Sequence, residues 1–317
     1  MTDPEPRTAD RIAVVLMAYG TPATPEAIEE YYTDIRRGRP PTPEQLADLT
    51  GRYAAIGGVS PLAARTKEQR AAVQAALDEL APGRYTVVLG LKHSHPKIEQ
   101  AVADVLADGY RTIVAAVLAP HFSEMSIGEY VHRVEAAAAD AGVTVRAVRS
   151  WARLPEFVDF VARDLQHRLD AANAARGAAK GRTRVLFTAH SLPERIVAAG
   201  DPYPAELRAT AEAVAAQLGL REGSDWRLAW QSAGRTPEPW LGPDVGEVIG
   251  DGSLADVDTL VVSAVGFVSD HLEVLYDLDL EARHLADEAG LAFDRTSCVN
   301  ADPAVMAGLA RLIHEAT

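Results

Sequence analysis

The chain has 317 residues, of which 48% are hydrophobic and 24% charged, so it suits a folded globular protein of one large or two mid-sized domains and excludes disorder and collagen-like repeats. Lys and Arg number 31 against 45 Asp and Glu, a net charge of −14 that argues against nucleic-acid binding and anionic lipid and favours cations. The one cysteine, Cys298, forms no intramolecular disulfide and no four-cysteine cluster, which implies a reducing compartment. The polar stretch Met1–Asp10 and the short apolar run Ile12–Ala18 carry no secretory pattern. No run approaches the roughly 18 apolar residues a membrane span requires. A cytoplasmic protein without membrane insertion is expected.

In chain order, β-branched apolar runs bounded by Gly, Pro or Asp predict strands at Ile12–Ala18, Tyr85–Leu89, Thr112–Leu118 and Val143–Val148. After a break they recur at Arg184–Thr188, Trp226–Trp230, Thr259–Ala264 and Leu291–Phe293. Most are continuously apolar, the pattern of strands buried on both faces in a parallel sheet. Ala-rich segments of helical period lie between them, among them Leu62–Leu80, Ile98–Ala107, Phe157–Ala171 and Pro204–Leu218. Alternation of this kind predicts βαβ units in two similar α/β domains with a cleft. The small, basic, pattern-poor stretch Ala172–Arg182 reads as a surface loop near their boundary.

Ligands of such folds bind beyond the carboxyl ends of the strands, so the residues that follow each strand carry the functional signal. The first strand is followed by Tyr19-Gly20-Thr21-Pro22, the second by Lys92-His93-Ser94-His95-Pro96, and the third by Pro120-His121-Phe122-Ser123. In the second half, His190-Ser191-Leu192-Pro193-Glu194 follows a strand, with Ser191 placed to cap the next helix. His190 is then an imidazole at a strand's carboxyl edge, suited to accept a proton near neutral pH or to bind a borderline metal.

Downstream, Glu273, Asp277 and Glu281 fall at i, i+4 and i+8 and form one acidic ridge if the segment is an α-helix. Such a ridge is either a solvated face or a cation site, and interleaved Val274 and Leu275 favour partial burial. Carboxylate oxygen with imidazole nitrogen suits Fe2+, Zn2+ or Mn2+. Arginines concentrate early, in Arg36-Arg37-Gly38-Arg39 and at Arg52, close to Gly57-Gly58-Val59-Ser60-Pro61. Arginine forks bind carboxylate or phosphate, but no Walker A and no Gly-x-Gly-x-x-Gly follows the first strand, which argues against a nucleotide. The segment Trp230–Pro243, rich in Pro and Gly, is expected to be an ordered loop.

These residues resemble the ferrochelatase family nearly end to end. The resemblance is carried by Leu16-Met17-Ala18-Tyr19-Gly20-Thr21-Pro22, Tyr31–Arg39, Arg52-Tyr53 with Ile56–Leu62, Gly90-Leu91-Lys92-His93, and Leu118–Ser123 with Ser126 and Tyr130. It continues in Ala189-His190-Ser191-Leu192-Pro193, Gly200–Pro204, Trp230-Gln231-Ser232, Pro239–Pro243 and Val265–Asp277. Tyr19 in Ala-Tyr-Gly-Thr-Pro is most similar to the coproporphyrin III ferrochelatases of Gram-positive bacteria.

The resemblance implies a chelatase-like fold of two similar Rossmann-like domains, each a parallel four-stranded sheet flanked by helices, with the active-site cleft between them. The expected domains are 8–160 and 161–300, with a C-terminal helix at 301–317 packing back on the first. The resemblance also implies insertion of Fe2+ into coproporphyrin III, with release of two protons, to give iron-coproporphyrin III in haem biosynthesis. His190 and Glu273 match the metal-site pair, with His190 as base or metal-handing ligand. Asp277 and Glu281 continue a path for metal or protons. Tyr19, Arg36, Arg52, Tyr53, Ser60 and Tyr130 match positions lining the porphyrin site, with Tyr19 across the macrocycle from His190. Some relatives hold a [2Fe–2S] cluster on four cysteines, which Cys298 alone cannot do. A monomer is expected, with transient contact to a coproheme decarboxylase. Alternatives are a related chelatase using protoporphyrin IX, sirohydrochlorin or another metal, and a non-catalytic tetrapyrrole or iron carrier.

Overall fold

The computed structural model describes residues 11–176, 181–234 and 236–317. Residues 8–10 of the expected first domain, 177–180 of the expected loop, and Arg235 lie outside them. The chain forms two compact units, one of residues up to Trp151 together with Asn300–Thr317, the other Ala152–Val299.

The first unit holds strands β1 (Ile12–Ala18), β2 (Tyr85–Leu91), β3 (Thr112–Val117) and β4 (Thr144–Val148), all parallel, in the order β2-β1-β3-β4. Every residue of β1 is buried, as its unbroken apolar run requires of a central strand. Helices α1 (Ile28–Ile35), α2 (Pro43–Ala55), α3 (Leu62–Leu80), α4 (Ile98–Ala107) and α5 (Glu129–Ala138) complete the layers. Thr42 and Gln45 start α2 with a reciprocal capping box. The C-terminal helix Pro303–Glu315 packs on α3, tied by Gln69 Nε2 donating to the Asn300 carbonyl at 2.9 Å and by Tyr85 Oη to His314 Nδ1 at 2.8 Å.

The register levels the strand ends. Ala18 pairs with Leu91 and Met17 with Val117. Pairing then runs past the strands, with Lys92 N donating to the Ala18 carbonyl, His93 N to Tyr19, and Leu118 N to Met17, at 2.8–2.9 Å. Tyr19, Lys92 and His93 therefore share one edge. Gly20 makes the chain's exit there possible. Its φ is +90°, and a Cβ would lie 2.6 Å from Ser94 Oγ.

The second unit starts with α6 (Pro155–Arg176), followed by β5 (Thr183–His190), α7 (Arg195–Ala198), α8 (Tyr203–Leu218), β6 (Trp226–Gln231), α9 (Val245–Gly250), β7 (Thr259–Ser263), α10 (Arg283–Glu288) and β8 (Ala292–Arg295). Its parallel sheet runs β6-β5-β7-β8. Leu186, Val262, Val274, Leu278, Ala282 and Ala286 belong to one buried cluster on this sheet.

Two expected boundaries move. α6 continues to Arg176, so the loop placed from Ala172 begins later; Ala-rich sequence extends a helix readily. A domain boundary at 160–161 would cut α6, which packs on α8 and β7, and the units instead part at Trp151–Ala152. Among the described residues no helix is long and apolar enough to cross a membrane.

His121, just beyond β3, is 2% exposed, and burial lowers its pKa from 6.5 to about 3. Between those values the unfolded chain takes a proton that the folded chain refuses, so His121 withdraws stability as pH falls below about 6.5. His121→Gln should therefore lose less stability than the parent between pH 7 and pH 5.5, by on the order of 1 kcal/mol. Urea unfolding of both proteins at the two pH values measures this, and identical pH slopes would refute it.

Candidate functional site

β5 ends at His190, held level with Gln231 of β6. Ser191 N donates to the Gln231 carbonyl and Gly266 N to the Thr188 carbonyl, so the chain beyond each neighbouring strand stays laced to β5. The Ser191 hydroxyl does not cap a helix as expected. It donates to the Leu241 carbonyl at 2.7 Å and pins the loop after β6, while α7 begins only at Arg195. Tyr203 Oη donates to the His190 carbonyl at 3.0 Å.

The His190 ring is oriented by its own backbone. Nδ1 lies against the Ser191 carbonyl in a short hydrogen bond, which a carbonyl can only accept. The proton of the neutral ring is thus on Nδ1, leaving the Nε2 lone pair to face Glu273 Oε1 at 3.9 Å. His271 repeats the arrangement. Its Nδ1 bonds the Ser269 carbonyl at 3.0 Å, and its Nε2 lies 3.6 Å from Glu273 Oε2.

The Nε2 atoms of two imidazoles thus converge on one carboxylate. Donors each about 2.1 Å from a metal sit roughly 3–4 Å apart, which is the spacing found here. Among the described residues no group of three or more His, Cys, Asp or Glu side chains is placed to hold a metal ion.

The ridge differs from the α-helix expected. Val274–Ala282 is π-helical, continuing into α10. Its buried stripe, Val274, Leu278, Ala282 and Ala286, repeats strictly every four residues. On an α-helix that spacing drifts around the axis, since 3.6 residues make a turn; the wider π-turn absorbs the drift. Glu273 and Asp277 are half-buried and Glu281 is exposed. Asp277 accepts a short hydrogen bond from Ser232 Oγ of the loop after β6. The structure thus joins Glu273 to His190, whereas Asp277 is tied to the loop and Glu281 faces solvent.

In the first unit, Tyr19 is 43% exposed and its ring lies 4.6 Å from that of His93. Lys92 Nζ pairs with Glu129 at 2.8 Å and lies 6.0 Å above the Tyr19 ring and 5.3 Å above that of buried Tyr130. Burial first, then the nearby Tyr19 and Glu129, raise the Tyr130 pKa, so its phenol stays protonated. Burial also lowers the His93 pKa, outweighing Asp34, so His93 is neutral and donates Nδ1–H to Asp34 at 2.7 Å. Burial pushes Asp34 upward, but Lys97, at 2.7 Å, and His93 hold it ionised.

A cavity of about 580 Å³ opens beside this cluster, lined by Thr21, Tyr31, Asp34, Leu62, Lys67 and His93 among others. Arg36, Arg52, Tyr53, Ser60 and Tyr130 do not line it. Tyr53 is buried and reaches Thr21 at 3.2 Å. Ser60 Oγ accepts from Leu62 N at 3.2 Å, Arg52 lies 3.4 Å from Asp48, and Arg36 and Arg39 bond each other's carbonyls. Sequence reasoning assigned no site role to Lys92, His93, Asp34 or His271. The first two follow a strand, which was the available signal. His271 stands two residues before Glu273, a separation that places no two side chains together on a regular helix.

Solved structures with the same fold are chelatases. SirB from Bacillus subtilis with Fe3+ matches with TM-score 0.55 and 13% identity over 96% of this chain and 95% of that one. CbiX, the terminal enzyme for biosynthesis of siroheme in denitrifying bacteria, matches with TM-score 0.52 and 15% identity over 97% and 99%. The fold is therefore that of the chelatases. Residues 11–317 match the family described as Ferrochelatase, and the chain belongs to that family. The chain is 41% identical to the Ferrochelatase of Herpetosiphon aurantiacus over 93% of this chain and 95% of that protein. It is 44% identical to the Coproporphyrin III ferrochelatase of Halalkalibacterium halodurans over 97% and 98%. It is a metal chelatase, a lyase.

Gly266 keeps the His190 strand end in place. A Cβ there would overlap the Ala189 side chain and lie 2.6 Å from Ala189 Cα, and backbone does not yield as a side chain does. Gly266→Ala should destabilise the protein by about 1–3 kcal/mol and lower turnover with it. Denaturation and initial-rate assays test this; a variant as stable and active as the parent would show that the contact yields.

Proposed function

We propose that the protein inserts Fe2+ into coproporphyrin III, releasing two protons and giving iron-coproporphyrin III, as a cytoplasmic step of haem biosynthesis. The convergence of His190 Nε2 and His271 Nε2 on Glu273 carries this reading. Glu273 attracts the dication and His190 Nε2 meets it as a neutral donor. Once iron moves to the macrocycle, the same Nε2 can take a pyrrole proton, and Glu273 stabilises the imidazolium that results. Asp277 and then exposed Glu281 extend the negative charge outward along the π-helical segment, a graded path for iron entering or protons leaving.

The first unit supplies the tetrapyrrole groups. Tyr19 offers an exposed ring and phenol as axial partner. Arg36 and Arg52 answer the carboxylates, while Tyr53, Ser60 and Tyr130 contribute hydroxyls. Four propionates call for local cations in a protein of net charge −14, and the arginines provide them. On this reading the enzyme is a monomer and passes its product to a coproheme decarboxylase. The full-length identity to coproporphyrin III ferrochelatases supports the substrate choice.

His190→Ala should lower kcat by roughly 10²-fold or more under anaerobic Fe2+ turnover, the usual loss of a positioned acid–base group. Near-normal insertion by that variant would remove His190 from the chemistry. In the same assay coproporphyrin III should be turned over better than protoporphyrin IX; the reverse order would reassign the substrate, and tight binding without product would indicate a carrier.

A further inference from the structure

The π-helical segment that carries Asp277 and follows directly on Glu273 is an uncommon backbone form, and such segments persist where the surroundings hold them. Here the hold comes from Arg295, at the end of β8. Its Nε donates to Asp279 Oδ1 at 2.7 Å and its Nη2 to Asp279 Oδ2 at 2.8 Å, a bidentate pair. The same Nη2 reaches Asp270 Oδ1 at 3.4 Å. Asp270 stands just ahead of Glu273, and Asp279 lies within the π-helical segment, so one guanidinium brackets both Glu273 and Asp277.

The anchor is itself fixed. Arg295 pairs with Val262 in the sheet, Nη1 donates to the Thr296 carbonyl at 3.0 Å, and Thr296 Oγ1 meets Ser263 Oγ at 3.2 Å. The Arg295 side chain is 14% exposed, so water competes little for these bonds. Cys298, whose pKa burial raises, packs beside the cluster as a protonated, unreactive thiol.

We propose that Arg295 is a positioning residue for metal capture, its fork setting the register of the segment so that the Glu273 carboxylate stays opposite His190 Nε2. The proposal rests on the reading of Glu273 and His190 given above. Lysine would keep the charge but could not meet both oxygens of Asp279 while reaching Asp270. Without the fork the segment is free to relax toward α-helical register, which turns Glu273 away from His190. The loss should appear in iron capture and spare tetrapyrrole binding.

The test is steady-state anaerobic insertion by full-length Arg295→Lys, Arg295→Gln, Asp279→Asn and Glu273→Gln variants, with melting temperatures measured alongside. Arg295→Lys and Arg295→Gln should raise the KM for Fe2+ roughly tenfold or more, as lost outer-shell support does, with the porphyrin KM unchanged. Asp279→Asn should move the same constant in the same direction. If Arg295 acts through Glu273, Arg295→Gln combined with Glu273→Gln should raise the KM no further than Glu273→Gln alone. An unchanged KM for Fe2+ in a folded Arg295→Lys protein, with Glu273→Gln raising it, would overturn this proposal alone. Additive effects in the double variant would do the same. No change with Glu273→Gln would overturn the site reading and this proposal together.

Discussion

Parallel strand register is the constraint on which the chemistry depends. A side chain just beyond a strand meets one beyond the next strand only if both strands end at the same level. In the first unit β1, β2 and β3 end level, and the hydrogen bonds that follow them place Tyr19, Lys92 and His93 on one edge. In the second, β5 is level with β6, and the chain after β7 is bonded alongside it, which sets His190 beside the loop leading to Glu273. A one-residue slip in any of these pairs would turn the functional side chains to the opposite face. Gly20 and Gly266 stand where the chain leaves this edge, and each lies against a neighbour that a Cβ would strike.

Both units share the negative sign of the whole chain, the second more strongly. The −14 net charge favours a dication, and Glu273, Asp277 and Glu281 place part of that charge on one segment. The aromatic cluster of the first unit is arranged around Lys92, whose ammonium pairs with Glu129 and faces two rings. The buried Tyr130 phenol and the half-buried His93 imidazole both remain neutral, because burial disfavours their charged forms. Protonation is thus fixed in the first unit, while in the second two imidazoles face one carboxylate.

Much of this was legible in the sequence, for identifiable reasons. β1 is apolar throughout, and only a strand covered on both faces tolerates that. The motif around His190 and the one around Glu273 each pointed to chemistry, but their meeting is tertiary, and the spacing between them carries no signal for it. Family resemblance supplied that link. The π-helical form was written in the four-residue repeat of Val274, Leu278, Ala282 and Ala286, and reading it as α-helical missed the departure from 3.6. The extension of α6 through Ala172–Arg176 was missed for a different reason: small residues without an apolar face look like loop, yet alanine itself favours helix.

On the proposed reading, a site for metal in transit and π-helical geometry go together. A resident metal is served by a closed set of ligands whose second shell locks them, and such a set would not release its ion. A substrate metal has to be attracted, partly dehydrated and then given up. On the proposed reading, imidazole with one half-buried carboxylate would attract a dication without enclosing it. An α-helix would turn the successive acids around its axis as the apolar stripe drifted. The π-turn keeps the stripe buried at four-residue intervals and the acids one step beside it. The backbone form therefore follows from keeping the four-residue apolar stripe buried along the nine-residue segment.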